Sequence, residues 1–223
     1  MLGVRTASPF TAKAEAMLAM SGLDFRIERV DDPRKAPRGK LPVLLDGERV
    51  IPDSAHIQTH LERVHGVDFD GWLTPEQKAV GIAFRRLIEH HHYFIAGNMR
   101  WNMHSEAVRD NYFDTIPAPM RRVIFPFILR GVNKGYHEQG LGRHTMDEQI
   151  GFLAEDFEAI STQLGEKDFF FGDRPASIDA SLFGMLHQAL DCTLRTPATE
   201  EAERHANLRP YLERMKERFF GEG

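Results

Sequence analysis

Residues 40–55, Lys40-Leu41-Pro42-Val43-Leu44-Leu45-Asp46-Gly47-Glu48-Arg49-Val50-Ile51-Pro52-Asp53-Ser54-Ala55, read as a strand, a tight turn, a second strand and the opening of a helix. An Asp-Gly pair between two apolar runs is a strong local signal for a hairpin, because glycine accepts the positive φ such turns need. Asp53 or Ser54 then caps a helix whose apolar stripe is Ile57, Leu61 and Val64. Upstream, Phe10, Ala14, Met17 and Leu18 follow helical spacing, and Gly22 stops that helix. Phe25-Arg26-Ile27-Glu28-Arg29-Val30 alternates apolar and polar side chains, which predicts a half-buried strand. Residues 1–66 are therefore expected to form an α/β domain in the order helix, strand, loop, hairpin, helix.

Residues 67–74 break the periodicity and are expected to be a linker. Thr74-Pro75-Glu76-Gln77 opens the next helix, with threonine at the cap, proline at the first helical position and Gln77 completing a capping box. Everything beyond is helical in pattern: Ile150, Leu153, Phe157, Ile160 and Leu164 form one stripe, Leu182, Met185, Leu186 and Ala189 another, and Leu208, Leu212, Met215 and Phe219 a third. The expected fold class is α/β plus all-α, with an all-helical domain over residues 75–223.

At 223 residues, with 42% hydrophobic and 27% charged side chains, the chain has the composition of a globular protein with a real core. No apolar run approaches the roughly 20 residues of a membrane helix, and Met1-Leu2-Gly3-Val4-Arg5 is too soon interrupted to be a secretory signal. A net charge of −5 argues against nucleic acid as a partner. The single cysteine, Cys192, excludes an internal disulfide and suits a cytoplasmic location.

Three short motifs could carry chemistry. Ser8-Pro9-Phe10-Thr11 places a hydroxyl at a helix start, where N–H groups and the positive end of the helix dipole favour an anion and would help a thiol to ionise. The same residues also read as a simple N-cap with proline at the first position. Leu41-Pro42 precedes a strand; a cis bond there would turn the Leu41 backbone outward, free to pair with an extended peptide, whereas a trans bond would make it an ordinary strand start. Pro52-Asp53-Ser54-Ala55 could bind a carboxylate through Ser54 and the helix N–H groups, and an ammonium through Asp53, or could simply cap.

In this order and setting the three motifs resemble those of the glutathione transferase superfamily. The resemblance implies a thioredoxin-like N-terminal domain that binds glutathione. Ser8 would donate a hydrogen bond to the glutathione thiolate as the catalytic serine. Phe10, Lys40, Leu41, Pro42, Asp53 and Ser54 would line the glutathione site: Lys40 near the glycine carboxylate, Leu41 pairing with the cysteinyl backbone before a cis Pro42, and Asp53 with Ser54 at the γ-glutamyl end. The family pattern carries Glu-Ser where this chain has Asp53-Ser54. Phe169-Phe170-Phe171-Gly172-Asp173-Arg174-Pro175-Ala176-Ser177-Ile178-Asp179-Ala180 resembles the loop and buried helix start of the family's helical domain, with Asp179 as a structural acid. The usual cap hydroxyl is missing at Ala176, and Ser177 or Asp173 is expected to substitute. This segment, Gly140-Leu141-Gly142-Arg143-His144 and Asp31-Asp32-Pro33-Arg34-Lys35-Ala36-Pro37 resemble the metaxin-like and failed-axon-connections-like branch.

That branch often has cysteine where Thr11 stands, so a thiol–disulfide role is not expected. A thioredoxin-like sheet also needs a strand before the helix that Pro9 opens; it is short or missing here, and the natural chain is expected to begin upstream of Met1. His90-His91-His92 cannot converge on one ion from a helix, and the better spaced His56 and His60 lack further ligands, so no metal is expected. Tyr93, Asn98, Arg100 and Trp101, where the resemblance puts the domain cleft, are candidates for binding a second substrate. The expected partners are glutathione as co-substrate, a small hydrophobic electrophile and a second copy of the chain in a homodimer, with no membrane. The alternative is a non-catalytic binding or assembly protein that keeps the fold.

Overall fold

The computed structural model describes residues 2–30 and 32–221; Met1 and Asp31, both quoted above, lie outside the described residues. Helix α1 (Pro9–Ser21) starts at Ser8 and ends where Gly22 turns left-handed at φ 70°. Strands β1 (Val43–Asp46) and β2 (Arg49–Pro52) pair antiparallel, Val43 with Pro52 and Asp46 with Arg49. Helix α2 (Ser54–His65) follows at once and buries Ile57 and Leu61 to 1%.

The strand expected over residues 25–30 does not form. Phe25, Ile27 and Val30 stay 39%, 57% and 42% exposed. An extended segment keeps its backbone groups satisfied and its apolar face covered only if a neighbouring strand accepts it. The chain before α1, where that neighbour would run, turns instead toward the helical half. The Leu2 carbonyl accepts from the Thr193 N–H at 2.9 Å, and the Arg5 N–H donates to His187 Nε2 at 2.9 Å. Among the described residues the sheet of the N-terminal domain is thus the β1–β2 hairpin alone.

The helical domain runs through α3 (Pro75–Arg86), a wider π-helical stretch (Leu87–His92) and α4 (Tyr93–Met103). It continues with α5 (Ser105–Tyr112), α6 (Ala118–Gln139) and α7 (Met146–Leu164). Helix α8 (Ser177–Leu186) passes into a second π-helical stretch (His187–Asp191), and α9 (Pro197–Glu203) and α10 (Leu208–Phe220) close the chain. The capping box expected at Thr74 and Gln77 is present, and Thr145 with Glu148 makes another. No described helix is long and apolar enough to cross a membrane.

Helix α8 is buried on every side and forms the axis on which the two halves meet. Its Gly184 lies so close to α1 that a Cβ would strike the Pro9 carbonyl oxygen and press the Lys13 backbone nitrogen at 3.1 Å. The alanines of α1 (Ala12, Ala14 and Ala16) permit that approach, and α1, α2, α7 and α8 share one apolar core. Residues 67–74 are anchored as well: Phe69 and Leu73 are buried, and Asp70 accepts from both the N–H and the hydroxyl of Ser177 at 2.8 and 2.6 Å. Ser177 therefore does not replace the hydroxyl missing at Ala176. The Asp179 N–H bonds back to the Ala176 carbonyl at 3.0 Å, and the Asp179 carboxylate takes the N–H groups of Ala176 and Phe170 at 2.8 and 2.9 Å and the Tyr211 hydroxyl at 2.8 Å.

Candidate functional site

The hairpin presents its open end through a cis Leu41–Pro42 bond. The Pro42 carbonyl accepts from the Asp53 N–H at 3.1 Å, which holds the entry to β1 beside the start of α2. Leu41 is half-buried, and among the described residues neither its N–H nor its carbonyl takes a backbone partner, two residues before the Val43–Pro52 pair that opens the hairpin. Ser54 is 4% exposed, and Lys40 is exposed directly before Leu41.

Asp53 sits at φ 80° and ψ 131°, a region that a side chain with a Cβ pays of order 1–3 kcal/mol to occupy. Its Oδ1 caps α2 by accepting from the Ala55 N–H at 2.8 Å, and its charge also reaches Lys13 on α1. The ends of hairpin and first helix thus lie in one electrostatic neighbourhood.

At the start of α1, Ser8 Oγ accepts from the Thr11 N–H at 3.3 Å, so the capping reading describes the molecule correctly. Capping leaves the hydroxyl's own proton free to be donated, since a serine oxygen accepts and donates at once. Thr11 Oγ1 is buried with no hydrogen-bond partner. The Phe10 ring meets Tyr93 of α4 edge-on, centroids 4.8 Å apart, and burial pushes the Tyr93 phenol above its usual range, keeping it protonated.

The four residues proposed for a second substrate have separate fates. Tyr93 touches the α1 end of the site through Phe10. Arg100 donates to the Gln188 side chain at 2.6 Å and to its carbonyl at 2.9 Å, and Gln188 Nε2 donates to the Thr6 carbonyl at 2.7 Å. Arg100 and Gln188 therefore hold the strap that leads into Ser8. Asn98 donates to Gln149 at 3.0 Å. Trp101 stacks on Phe125 with centroids 6.2 Å apart and packs against Tyr112 and Phe113.

Sequence reasoning missed Thr6, Gln188, Lys13 and Glu89. Lys13 and Glu89 form an ion pair of 2.6 Å across the two halves, with 2% and 7% of their side chains exposed. The usable signal was Lys13 sharing a helical face with Pro9, Ala16, Met17 and Met20. Of the three consecutive histidines, His90 faces Arg86 at 3.2 Å, while His91 and His92 both approach Asp156 Oδ2, at 2.8 and 3.9 Å, His92 being buried edge-on to Phe157.

A helical domain docked through one buried helix onto α1 of a small domain that carries a cis-proline hairpin is the glutathione transferase fold. The structure aligns with a glutathione S-transferase of Methylobacterium radiotolerans, in complex with glutathione sulfonate, at a TM-score of 0.60 and 21% identity, covering 94% of this chain and 86% of that one. The chain belongs to the glutathione S-transferase superfamily: residues 9–107 match the glutathione S-transferase N-terminal domain and residues 153–215 the glutathione S-transferase C-terminal domain. It is similar to the isoprene-epoxide–glutathione S-transferase of Rhodococcus sp. (strain AD45), 29% identical over 97% of this chain and 94% of that protein. It is also similar to failed axon connections of Drosophila melanogaster, 28% identical over 96% of this chain but 54% of the longer protein. Metaxin-2 of Homo sapiens is 23% identical, with coverages of 92% and 80%.

Proposed function

We propose that the protein is a serine-type glutathione transferase that activates the glutathione thiol for attack on a small hydrophobic electrophile. The observation that carries this reading is the Leu41 backbone, without a backbone partner before a cis Pro42 and so available to pair with an extended tripeptide, with Asp53 at a costly φ and buried Ser54 at the start of α2. In the proposal Leu41 pairs with the cysteinyl backbone, Lys40 meets the glycine carboxylate, Asp53 and Ser54 take the γ-glutamyl end, and Pro42 and Phe10 wall the site. Ser8 donates to the thiolate while the N–H groups of α1 supply positive potential. A free cysteine-like thiol has a pKa near ~8.5, and lowering it by two units amounts to about 2.7 kcal/mol of thiolate stabilisation. The thiol proton passes to solvent and the sulfur lone pair forms the new bond to the electrophilic carbon. The bond from that carbon to its leaving oxygen (the ring C–O bond of an epoxide) breaks, and the freed oxygen takes a proton from solvent. The epoxide in the name of the Rhodococcus relative belongs to this substrate class.

Calorimetry with glutathione, paired with Ser8→Ala kinetics, tests the reading. The variant should retain most glutathione affinity and lose on the order of 100-fold in turnover, as for a single lost donor to a developing anion. It should also lose about 1 kcal/mol of stability as a cap. Absence of glutathione binding by the wild-type protein would overturn the proposal. The likeness to metaxin-2 favours the second reading, a non-catalytic assembly protein, and that result would select it. We also propose a homodimer, supported by Ile82, Val123 and Phe127 standing 53%, 67% and 70% exposed on the helical domain; a single-chain mass in sedimentation velocity would refute it. A reducing, cytoplasmic setting suits the lone buried thiol Cys192.

A further inference from the structure

Far from the cis-proline end, at the turn end of the hairpin, three potential ligands meet. His60 Nε2 and His65 Nε2 each lie 2.7 Å from the same oxygen, Asp46 Oδ2. One ligand atom from each of the three residues falls within 4.8 Å of the others. Asp46 is four residues along β1 from Pro42, about 13 Å at strand rise, so the cluster is separate from the glutathione site. The sequence hid it: His60 and His65 are five apart on α2, about 140° around the helix, and Asp46 arrives from the hairpin.

We propose that Asp46, His60 and His65 bind a divalent transition-metal ion of the zinc type, stapling the hairpin turn to the end of α2. The donor set is two imidazole nitrogens and one carboxylate oxygen, which zinc takes in tetrahedral sites that keep a fourth position for water. A tetrahedral ion at zinc distances sets its ligand atoms about 3.4 Å apart. The two N···O separations of 2.7 Å must therefore widen by roughly 0.7 Å around such an ion. Side-chain rotation can supply this, because Asp46 and His65 have 32% and 30% of their side chains open to solvent. His60, at 9%, is the fixed wall of the site.

Both imidazoles now direct Nε2 at one carboxylate oxygen, so each uses its N–H there. Metal binding moves each proton to Nδ1 and replaces two hydrogen bonds by three coordinate bonds, one from each residue. The carboxylate remains the shared anchor, and one negative charge in the site meets a dication.

The experiment is calorimetric titration of zinc chloride into the full, tag-free chain after chelator treatment, with thermal unfolding read alongside. The wild-type protein should take one ion per chain at micromolar Kd, and its midpoint should rise with zinc, since an ion bound only to the folded state stabilises it. Asp46→Asn and His65→Ala should each lose at least about 100-fold in affinity, the upper end of what outer-shell losses alone produce. The exposed His56→Ala should bind as the wild type does. His60 is left unchanged because it is nearly buried, and circular dichroism checks that the two variants keep their helices. No uptake by the wild type at about 1 mM zinc, far weaker than structural sites, would overturn the proposal and leave a hydrogen-bonded clasp. Uptake that survives in both Asp46→Asn and His65→Ala would overturn it too, by placing the ion elsewhere.

Discussion

Removing the Lys13 ammonium should be among the most damaging single changes in the molecule. Lys13 on α1 and Glu89 on the first π-helical stretch meet at 2.6 Å, and Ser181 of α8 donates to the same Glu89 oxygen at 2.8 Å. Burial pulls the lysine pKa below its usual value and Glu89 opposes that fall, so each charge depends on the other. Lys13→Met leaves a buried carboxylate with one hydroxyl donor, and broken pairs of this kind cost about 3–5 kcal/mol. For a chain of this length that corresponds to a midpoint lowered by about 6–20 °C. Lys13→Met combined with Glu89→Leu removes both charges and leaves only the Ser181 hydroxyl without its acceptor, a loss of about 1–3 kcal/mol that the new apolar contacts offset in part. Urea unfolding of the wild type, both singles and the double variant, compared at constant slope, gives the coupling. A coupling of at least ~2 kcal/mol is expected, by analogy with contacting pairs. A lysine single variant costing under ~1 kcal/mol, the scale of an exposed pair, or costs that simply add, would refute the reasoning.

Other tests use the same physics. Burial lowers the His92 pKa to about 4. Its contribution is therefore fully present above ~6.5 and lost as pH falls through ~4, a change of about 3 kcal/mol. Asp156 and Asp179, raised by burial to about 6, act in the opposite sense: their contribution is present at low pH and lost as pH rises toward 6. The difference in stability between the wild type and His92→Leu, measured by urea at pH 7 and pH 4, isolates the histidine and should move toward the variant at low pH; an unchanged difference would be contrary evidence. Asp179→Ala strands the buried N–H groups of Phe170 and Ala176 and leaves the Tyr211 hydroxyl only the Asp179 carbonyl at 3.3 Å. It should cost at least about 2 kcal/mol in the same assay. Gly184→Ala gains roughly 1 kcal/mol of helix propensity but forces α1 off α8. It should therefore destabilise by about 1–3 kcal/mol, and weaken glutathione retention in calorimetry because Pro9 adjoins Ser8.

What the sequence determined by itself was local. The caps at Ser8, Asp53 and Thr74 and the stop at Gly22 depend on a few neighbouring residues, and the structure keeps each of them. The hairpin forms too, but its turn falls one residue later, at Gly47-Glu48, and Val64 of the α2 stripe stays 49% exposed. The motif order around Ser8, Leu41 and Asp53 was enough to place the chain in its superfamily. Residues 25–30 had strand periodicity yet form no strand, because a strand is completed by a partner that its own residues do not encode. Arg100 looked like a pocket residue, but Gln188, far along the chain, claims its guanidinium. Only tertiary structure could bring Asp46 to two histidines five residues apart, or seat Lys13 against Glu89. Backbone conformation is set within a turn or two of chain, whereas buried charge and ligand geometry are set by whichever distant side chains the packing of α1, α2 and α8 makes neighbours.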